Sequence, residues 1–291
     1  MQTGLVILNF NSGKLSAELA KSIARFKSVD EIVIVDNKST DNSLDILHEI
    51  KNDKITVLEM DENRGYSYGN NFGAKYLEQK GVEFLFIANP DIEISESDFD
   101  VLLEVLKTGE YSAVSGVEYD ALGNITGKVQ RRDRYIDDIA NCLSIGRRII
   151  NKKQTQDIDF SIDINETEML HGCFFGIRMH DFISIGGLDD KVFLYAEERI
   201  MSKKFEQCGL KQGIVTKSRY IHNHRPSIET VTKKKTFPFK VMYDSNIYYL
   251  ENYEEISKSK IKVLKVFMKI ALFRMNVMGK IKVGSRVAKQ I

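Results

Sequence analysis

EIVIVDNKSTDNS, from Glu31 to Ser43, is the stretch that decides the fold of this chain. It contains four β-branched residues in a row (32–35), which is typical of a strand covered on both faces, as in a parallel sheet. Two carboxylates, Asp36 and Asp41, follow in a turn rich in Ser and Asn. Because open α/β sheets bind ligands at the carboxyl ends of their strands, this turn is a candidate binding site. The alternative is a plain turn in which Asp41 caps the next helix.

Strand, turn and helix alternate through the first 117 residues. Apolar runs, with a helix in most of the intervals between them, predict strands at 5–10, 32–36, 55–58, 84–88 and 113–117. That order predicts parallel crossover connections and a nucleotide-binding type of half-domain. Residues 118–166 are polar and weakly periodic, which indicates loops and short helices. From Pro238 onward the pattern predicts helix.

The chain has 291 residues, of which 43% are hydrophobic, and this suits one α/β domain with an appendage. Its three cysteines are widely spaced, which predicts neither a disulfide framework nor a structural zinc site and favours a reducing cytosol. The first residues, MQTGLVILNF, begin with a strand instead of a signal peptide. Since no apolar run reaches the roughly 18 residues that span a bilayer, we expect a cytoplasmic protein.

A second polar cluster, NRGYSYGNNFG, occupies residues 63–73 between the third strand and a helix. Glycines at such a place let backbone amides approach a ligand, and Arg64 offers a positive charge for a phosphate. The cluster matches neither GxGxxG nor GxxxxGK[ST], which argues against a dinucleotide dehydrogenase and a P-loop ATPase. A helix start with a solvated Arg64 is the plain alternative.

A third cluster, FLFIANPDIEI at residues 84–94, is again an apolar strand that ends in an acidic turn. Proteins usually hold Mg²⁺ or Mn²⁺ with one or two carboxylates, together with phosphate oxygens and water. Asp91 is therefore a candidate metal ligand, although Asn-Pro-Asp is also common in plain turns.

Five motifs in this order resemble those of the family 2 glycosyltransferases: VILNFNS (6–12), VDNKSTDNS (35–43), NRGYSYGNNFG (63–73), NPDIEI (89–94) and GGLDDKVFLYAEE (186–198). The resemblance is strongest to the rhamnosyltransferase-like branch of bacterial capsule, O-antigen and exopolysaccharide synthesis. It implies the GT-A fold, a Rossmann-like mixed α/β sheet flanked by helices, with a C-terminal helical extension. It also implies three parts: a nucleotide-sugar-binding half (1–117), an acceptor-binding half of the same domain (118–230) and a basic amphipathic helical extension (231–291).

The resemblance implies roles for the matching positions. Three residues would hold the base and ribose of a nucleotide-diphosphate sugar: Asn9, Asp36 and Asp41. The turn with Arg64 and Gly65 would line the pyrophosphate. Asn-Pro-Asp stands where the family has an acid-x-acid metal triplet, so Asn89 replaces the first acid and Asp91 keeps the last. A divalent cation, Mg²⁺ or Mn²⁺, is the implied cofactor.

The segment VFLYAEERIMSKKF, residues 192–205, matches the family's aromatic-then-acidic motif at a helix start. The reaction needs a carboxylate that takes the proton of an acceptor hydroxyl. Glu198 matches the position of the family's aspartate base, and the adjacent Glu197 is the alternative base. Two acids at a helix start are also what the helix dipole favours.

Two later segments complete the resemblance. HGCFFGIR (171–178) resembles the strand that approaches the sugar and the acceptor, and we interpret Cys173 as a buried apolar residue instead of a nucleophile. YIHNHRPSI (220–228) resembles the family's late histidine, which can join the metal or the diphosphate. Of its two histidines, we predict His222 as the metal ligand.

The segment from Ser257 to Ile291 contains ten Lys or Arg and no Asp or Glu, although the net charge of the whole chain is only +1. Lysines alternate with apolar residues at near-helical spacing, as in helices that lie on anionic membrane surfaces. The alternatives are a helix packed on the rest of the protein with a solvated basic face, or a dimer contact. Without a recognition motif, nucleic-acid binding is not expected.

We therefore expect an inverting glycosyltransferase that moves rhamnose or another hexose from a nucleotide-diphosphate sugar to a glycan or lipid-linked glycan acceptor. It would be peripheral on the inner face of the bacterial cell membrane. Inversion follows from the resemblance alone. One alternative is a sugar nucleotidyltransferase, which needs a Gly-, Lys- and Arg-bearing loop that NFNSGKLS (9–16) supplies only in part. The other is a non-catalytic sugar-nucleotide-binding subunit, suggested by the replaced acids at Asn89 and Glu198.

Overall fold

A mixed β-sheet with helices on both faces forms the body of the protein. The computed structural model describes residues 1–143, 155–223 and 237–287, with side chains up to residue 275. The described strands are β1 (Gln2–Asn9), β2 (Glu31–Asp36), β3 (Ile55–Glu59), β4 (Val82–Ala88), β5 (Ile92–Ile94), β6 (Ala113–Tyr119), β7 (Val129–Gln130), β8 (Thr155–Gln156), β9 (Ile164–Glu166), β10 (Phe174–Arg178) and β11 (Gln212–His222). The described helices are α1 (Gly13–Ile23), α2 (Ser43–His48), α3 (Tyr66–Gln79), α4 (Glu96–Thr108), α5 (Tyr135–Leu143), α6 (Met179–Ser184), α7 (Glu197–Cys208), α8 (Phe237–Asn252) and α9 (Lys258–Val287).

Within these ranges the main sheet has nine strands, in the order β3-β2-β1-β4-β10-β6-β11-β5, with β9 paired to β11. Neighbours among β1 to β4 are parallel. Strand β10 is antiparallel to both β4 and β6, and β6 is parallel to β11. The carboxyl ends of β1–β4, β6 and β11 therefore lie along one edge of the sheet, which we name the carboxyl edge, together with the amino end of β10.

Side-chain alternation along the central strands explains why helices cover both faces. On β2, Ile32 and Ile34 join a core cluster that includes residues of α1 and α4. Val33 and Val35 point the other way, into a cluster that includes residues of α3 and α7. All four side chains are fully buried. The apolar run of β2 is thus a strand covered on both sides, as its composition predicts.

The predicted α/β sheet and the C-terminal helices are confirmed, and the strand bounds agree within a few residues. The five strands predicted in residues 1–117 run parallel to one another, but β6 does not lie beside β4, because antiparallel β10 is inserted between them. The predicted boundary at residue 117 falls inside β6, so both implied halves contribute strands to one sheet. The boundary at 230 lies outside the described residues, and the division of the chain stays a prediction.

Helix α9 packs against α5 and α8. Four of its apolar side chains, at helical spacing, are buried in a third core cluster: Ile261, Leu264, Met268 and Ala271. That cluster also contains Ile200 of α7 and Tyr249 of α8. The alternative of a packed helix is therefore confirmed for this face of α9. No described helix combines the length and apolar character that a bilayer crossing requires.

Candidate functional site

The carboxyl edge gathers predicted site residues from distant parts of the chain. Five of them lie at strand ends or directly after them: Asn9, Asp36, Asn89, Asp91 and His222. The register of β1 and β2 places Asn9 directly beside Asp36. Glu198, in the first turn of α7, accepts a hydrogen bond from the backbone N–H of Gly172 at 3.1 Å, just before β10. Both the strand ends and the start of α7 thus meet at this edge.

Asn9 and Asp36 form a buried polar pair. Asn9 Nδ2 donates to Asp36 Oδ2 at 2.8 Å, and the backbone N–H of Ser39 donates to Asp36 Oδ1 at 2.8 Å. Ser16 Oγ in turn donates to Asn9 Oδ1 at 2.7 Å. Because both carboxylate oxygens accept hydrogen bonds, Asp36 is buried without an unsatisfied oxygen. These bonds also fix the turn that follows β2.

Asp41 has a different environment, since its side chain is exposed. Its Oδ1 accepts a hydrogen bond from the backbone N–H of Ser43 at 3.0 Å, at the start of α2. Asn42 occupies the N-cap position without a side-chain cap bond. The plain alternative of a capping acid therefore matches the contacts of Asp41, and its place in a donor site stays a prediction.

Gly65 lies where the turn before α3 touches the loop before α7. Its φ is +91°, and the next residue, Tyr66, donates its backbone N–H to the carbonyl of Phe193 at 2.9 Å. A Cβ at Gly65 would lie 2.0 Å from that carbonyl oxygen. Both the dihedral angle and the close approach require glycine here. The cluster thus brings the backbones of two loops together, one of which leads to Glu197 and Glu198.

Arg64 is held on its own turn. Its guanidinium lies 3.5 Å from the centroid of the Tyr68 ring and its Nε is 3.7 Å from Glu62 Oε1. Its backbone N–H donates to Asn37 Oδ1 at 3.3 Å, which links this turn to the end of β2. The side chain is 43% exposed, so a ligand at the carboxyl edge can still reach the charge.

Asp91 and His222 come together from strands far apart in the sequence. Their Oδ1 and Nε2 atoms are 3.5 Å apart, and the two side chains are only 13% and 14% exposed. Pairing of His222 with Ile92 between β11 and β5 fixes this approach. A carboxylate suits Mg²⁺ and Mn²⁺, and the softer imidazole donor favours Mn²⁺. The pair therefore fits the predicted cation. His224 lies outside the described residues.

Asn89, the first residue of the Asn-Pro-Asp triplet, is held in place through its backbone. Its N–H donates to the carbonyl of Cys173 at 2.7 Å, which ties the end of β4 to the start of β10. Cys173 itself is buried, and burial raises the pKa of its thiol. It matches the small buried residue that we expected. All three cysteines of the described chain are free.

A buried acid that the sequence analysis missed lies behind His222. Glu118 is the second-last residue of β6. Its Oε1 lies 3.5 Å from His222 Nδ1, and its Oε2 accepts from the Tyr220 hydroxyl at 3.1 Å and contacts His171 Nδ1. Burial raises the pKa of Glu118, but hydrogen bonds from the two histidines outweigh burial and hold that pKa well below its ordinary value. The only sequence signal was its place at the end of an apolar strand.

His222 therefore lies between two acids. Burial lowers its pKa, but hydrogen bonding to Asp91, Cys173 and Glu118 raises that pKa to about 12. The imidazole presents one nitrogen to each carboxylate, Nε2 to Asp91 and Nδ1 to Glu118. Three groups in this region, the Glu118 carboxylate, the Cys173 thiol and the His222 ring, have ligand atoms within 4.8 Å of one another.

The two acids at the start of α7 have different surroundings. Glu197 is buried, and among the described residues its Oε2 has no hydrogen-bond partner. Burial, reinforced by the neighbouring charge of Glu198, raises the pKa of Glu197 well above its ordinary value. Glu198 is half-buried and is oriented by the N–H of Gly172. Of the two acids, Glu198 is thus the more accessible and the better positioned.

Backbone strain precedes these acids. Tyr195 and Ala196 have φ of 69° and 64°, a conformation that costs non-glycine residues of order 1–3 kcal/mol each. Such residues persist only where their surroundings hold them. Next to this pair, Ser245 Oγ donates to the carbonyl of Leu194 at 2.8 Å. One residue after Glu198, Arg199 forks onto both oxygens of Asp138 at 3.0 and 2.9 Å and lies 4.2 Å from the centroid of the Tyr249 ring.

A groove of about 990 Å³ opens beside this edge. Residues of α1, β5, α4 and β11 line it, together with the turn that carries Pro90 and Asp91. Of the predicted site residues, all of them within the described ranges, Asp91 alone lines the groove. The groove therefore extends the site from the Asp91 side and not from the Asp36 side.

Residues 5–186 match the family described as glycosyl transferase family 2. The chain belongs to this family. Its mixed sheet flanked by helices has the GT-A architecture. The match spans the β1–β4 strands, both Asn9 and Asp36, the Asp91 turn and β10, but ends before Glu197.

Solved structures share the fold at low sequence identity. A GalNAc-T7 structure with UDP, GalNAc and Mn²⁺ aligns over 93% of this chain and 55% of its own, at 17% identity and a TM-score of 0.58. The mannosyltransferase PcManGT of Pyrobaculum calidifontis, with GDP-Man and Mn²⁺, aligns over 99% of this chain and 80% of its own, at 14% identity and a TM-score of 0.56. TarS 1–349 of S. aureus aligns over 94% and 72%, at 16% identity and a TM-score of 0.55.

A curated relative is similar over a shorter segment. The low-salt glycan biosynthesis hexosyltransferase Agl10 of Haloferax volcanii is 31% identical over 112 residues, which is 38% of this chain and 34% of the relative. The present chain thus spans about a third of the length of this relative, and little more than half of the GalNAc-T7 chain.

We predict that Gly65→Ala lowers the free energy of unfolding by about 2 kcal/mol or more, because it adds left-handed strain to a clash with the Phe193 carbonyl. The matched control is Gly123→Ala, where φ is also positive, at +80°, but where a Cβ would meet nothing within 4 Å. Its loss should be only about 1 kcal/mol. Urea unfolding of both variants checks this, and equal losses would contradict the clash.

We also predict a pH-dependent effect of Glu197→Gln. A carboxyl whose pKa is raised in the folded state binds its proton more tightly there than in the unfolded chain, so its contribution to stability falls as pH rises above about 4.5. Removing the carboxyl removes that loss. The difference in unfolding free energy, variant minus wild type, should therefore increase between pH 5 and pH 8 in urea titrations. Parallel pH profiles would contradict the raised pKa.

Proposed function

We propose that this glycosyltransferase moves rhamnose or another hexose, with inversion, from a nucleotide-diphosphate sugar to a lipid-linked glycan. The product would enter a surface polysaccharide such as capsule or O-antigen. The observation that carries the proposal is the convergence of Asp36, the Asp91–His222 pair and Glu198 on one edge of the sheet. Open α/β sheets bind nucleotides at this edge. The hexosyltransferase name of the archaeal relative supports a hexose and a glycan product.

The donor would lie along the ends of β1 to β4. Asn9 and Asp36 would face the base and ribose, with Asp41 at the exposed end of the same turn. Arg64 and the Gly65 turn would line the pyrophosphate, where the accessible guanidinium offers a charge. The structures with UDP and with GDP-Man have the same fold, so the fold alone does not select the nucleotide.

A divalent cation would be held by Asp91 and His222, with Asn89 in place of the usual first acid. The GalNAc-T7 and PcManGT structures contain Mn²⁺. A carboxylate with an imidazole also favours Mn²⁺ over Mg²⁺. When bound, such a cation supplies positive charge that stabilises the departing diphosphate.

Glu198 would act as the base. The acceptor hydroxyl attacks the anomeric carbon, its oxygen–carbon bond forms as the bond to the diphosphate breaks, and the hydroxyl proton passes to the carboxylate. Glu198 is accessible and held by the Gly172 N–H, whereas Glu197 is buried with a raised pKa that favours its protonated form. These surroundings support Glu198 as the base over Glu197.

Family membership favours transfer over the nucleotidyltransferase alternative, whose glycine-rich basic loop NFNSGKLS (9–16) supplies only in part. The alternative of a non-catalytic sugar-nucleotide-binding subunit predicts donor binding without turnover. The same assay that tests the base therefore separates the two.

The inner face of the cell membrane would be the working surface. An exposed apolar ridge lies on the face of α9 opposite its buried face. It consists of four side chains at helical spacing, each 46–69% exposed: Val263, Val266, Ile270 and Phe273. Lysines at 262 and 269 flank the ridge. An apolar ridge beside basic side chains suits the interface of an anionic bilayer, where both attractions add.

We predict that Glu198→Gln lowers turnover by about 10²- to 10⁴-fold while donor affinity stays close to that of wild type, because the amide cannot accept the proton. Release of nucleoside diphosphate from a panel of nucleotide sugars with Mn²⁺ and acceptor lipid measures turnover, and calorimetry measures donor binding. Exposed Glu104→Gln on α4 is the control. Loss of turnover in Glu197→Gln but not in Glu198→Gln would assign the base to Glu197.

We predict that the double substitution Val266→Ser/Phe273→Ser weakens binding to vesicles containing phosphatidylserine by roughly tenfold or more, because it removes apolar surface that would insert. Both side chains are exposed, so the fold should be retained. The matched control, Leu122→Ser/Phe160→Ser, removes exposed apolar side chains elsewhere. Co-sedimentation equal to wild type would contradict the membrane role of the ridge.

A further inference from the structure

Glu118 is a buried acid without a role in the proposed reaction. Its side chain is 4% exposed and its two oxygens have separate partners. Oε1 accepts from the Thr126 hydroxyl at 2.9 Å and lies 3.5 Å from His222 Nδ1. Oε2 accepts from the Tyr220 hydroxyl and contacts His171. A carboxylate that is desolvated and still ionised costs free energy unless its partners stabilise the charge, so this arrangement is specific.

The three side chains Asp91, His222 and Glu118 form a row in which the imidazole joins the two acids. Nε2 faces Asp91 and Nδ1 faces Glu118, each at 3.5 Å. Histidines that bind metals almost always donate the N–H of the other ring nitrogen to a carboxylate, a carbonyl or a water, which fixes the tautomer and the ring orientation. Glu118 has the position of that acceptor.

We infer that Glu118 is a positioning residue for the cation site: it accepts the N–H of His222 Nδ1, so that Nε2, beside Asp91, is the nitrogen that gives up its proton and binds the cation. This inference rests on the proposed cation at Asp91 and His222. Because Asn89 supplies no carboxylate, His222 would provide a larger part of the ligand set. The orientation of its ring therefore matters more for cation binding. Glu118 itself touches neither the donor nor the acceptor in this assignment.

A separate cation held by Glu118, Cys173 and His222 is the competing interpretation, because their ligand atoms are within 4.8 Å. The contacts favour positioning. Cys173 Sγ lies 3.4 Å from the Tyr220 hydroxyl and 3.8 Å from Glu118 Oε2, inside the protein's own contacts. Glu118 Oε2 already accepts from Tyr220 and contacts His171, so that oxygen is committed to protein partners.

The test is Mn²⁺ binding by the full chain without donor or acceptor, followed by the electron paramagnetic resonance of free Mn²⁺. Glu118→Gln should weaken Mn²⁺ binding by about 10- to 100-fold. The matched control is Tyr220→Phe, which removes a hydrogen bond to the far oxygen of Glu118 and should bind Mn²⁺ like wild type. At saturating Mn²⁺, pulsed spectra should show nitrogen coupling in wild type and in Tyr220→Phe, none in His222→Ala, and a weaker coupling in Glu118→Gln.

Thermal melts check that each variant folds. If Glu118→Gln does not fold, Glu118→Asp replaces it: this variant keeps the charge but moves it away from the ring, and it should give an intermediate loss of Mn²⁺ affinity. Wild-type affinity and coupling in Glu118→Gln would overturn the positioning role alone. If His222→Ala and Asp91→Asn bind Mn²⁺ like wild type, or wild type binds none, the proposed cation site falls and this inference with it. A Co²⁺–thiolate absorption band that Cys173→Ser abolishes would also overturn the inference, in favour of a separate cation.

Discussion

The antiparallel strand β10, inserted between β4 and β6, is the constraint on which the candidate site depends. It brings residues 171–173 to the carboxyl edge, where parallel strands would otherwise place only strand ends. There the carbonyl of Cys173 accepts from Asn89 N–H, and the N–H of Gly172 donates to Glu198. Gly176 makes the pairing possible, because a Cβ there would lie 2.5 Å from the Phe86 ring. One strand thus connects the proposed cation side of the site with the proposed base.

Three buried acids at this edge show three ways of tolerating a carboxylate in the interior. Asp36 is ringed by neutral donors, from Asn9 and Ser39, which satisfy both oxygens. Glu118 is stabilised by imidazoles and stays ionised, with a lowered pKa. Glu197 is buried, its Oε2 has no hydrogen-bond partner among the described residues, and its pKa rises. Hydrogen-bond donors therefore satisfy the carboxylates at the ends of β2 and β6, whereas Glu197 at the start of α7 is only partly satisfied.

The sequence predicts the parts of the site that depend on local pattern. An apolar run followed by an acid predicts Asp36 and Asp91 at strand ends, and the family resemblance of residues 220–228 predicts His222. It could not predict Glu118, because the contact of this residue with His222 depends on the pairing of β6 with β11, about a hundred residues apart. Local pattern also could not separate Asp36 from Asp41. Burial and the hydrogen bond from Asn9 distinguish Asp36, and both depend on the tertiary structure.

The helical extension and the proposed base share one core. Ile200, two residues after Glu198, belongs to the same cluster as Tyr249 of α8 and Leu264 of α9. Arg199 adds a polar tie from α7 to Asp138 of α5, and α5 packs against α9. Since contacting residues couple energetically, the stability of α9 and the position of α7 are not independent.

This coupling decides how a membrane role of α9 can be separated from its structural role. Removing α9 would strip Ile261, Leu264 and Met268 from the third core cluster and leave their partners on α7 and α8 in water. Lost vesicle binding and lost turnover would then share one cause, a loosened α7. The exposed ridge at Val266 and Phe273 lies on the opposite face, so its substitution changes what the helix offers to a membrane and leaves the packing of α7 in place.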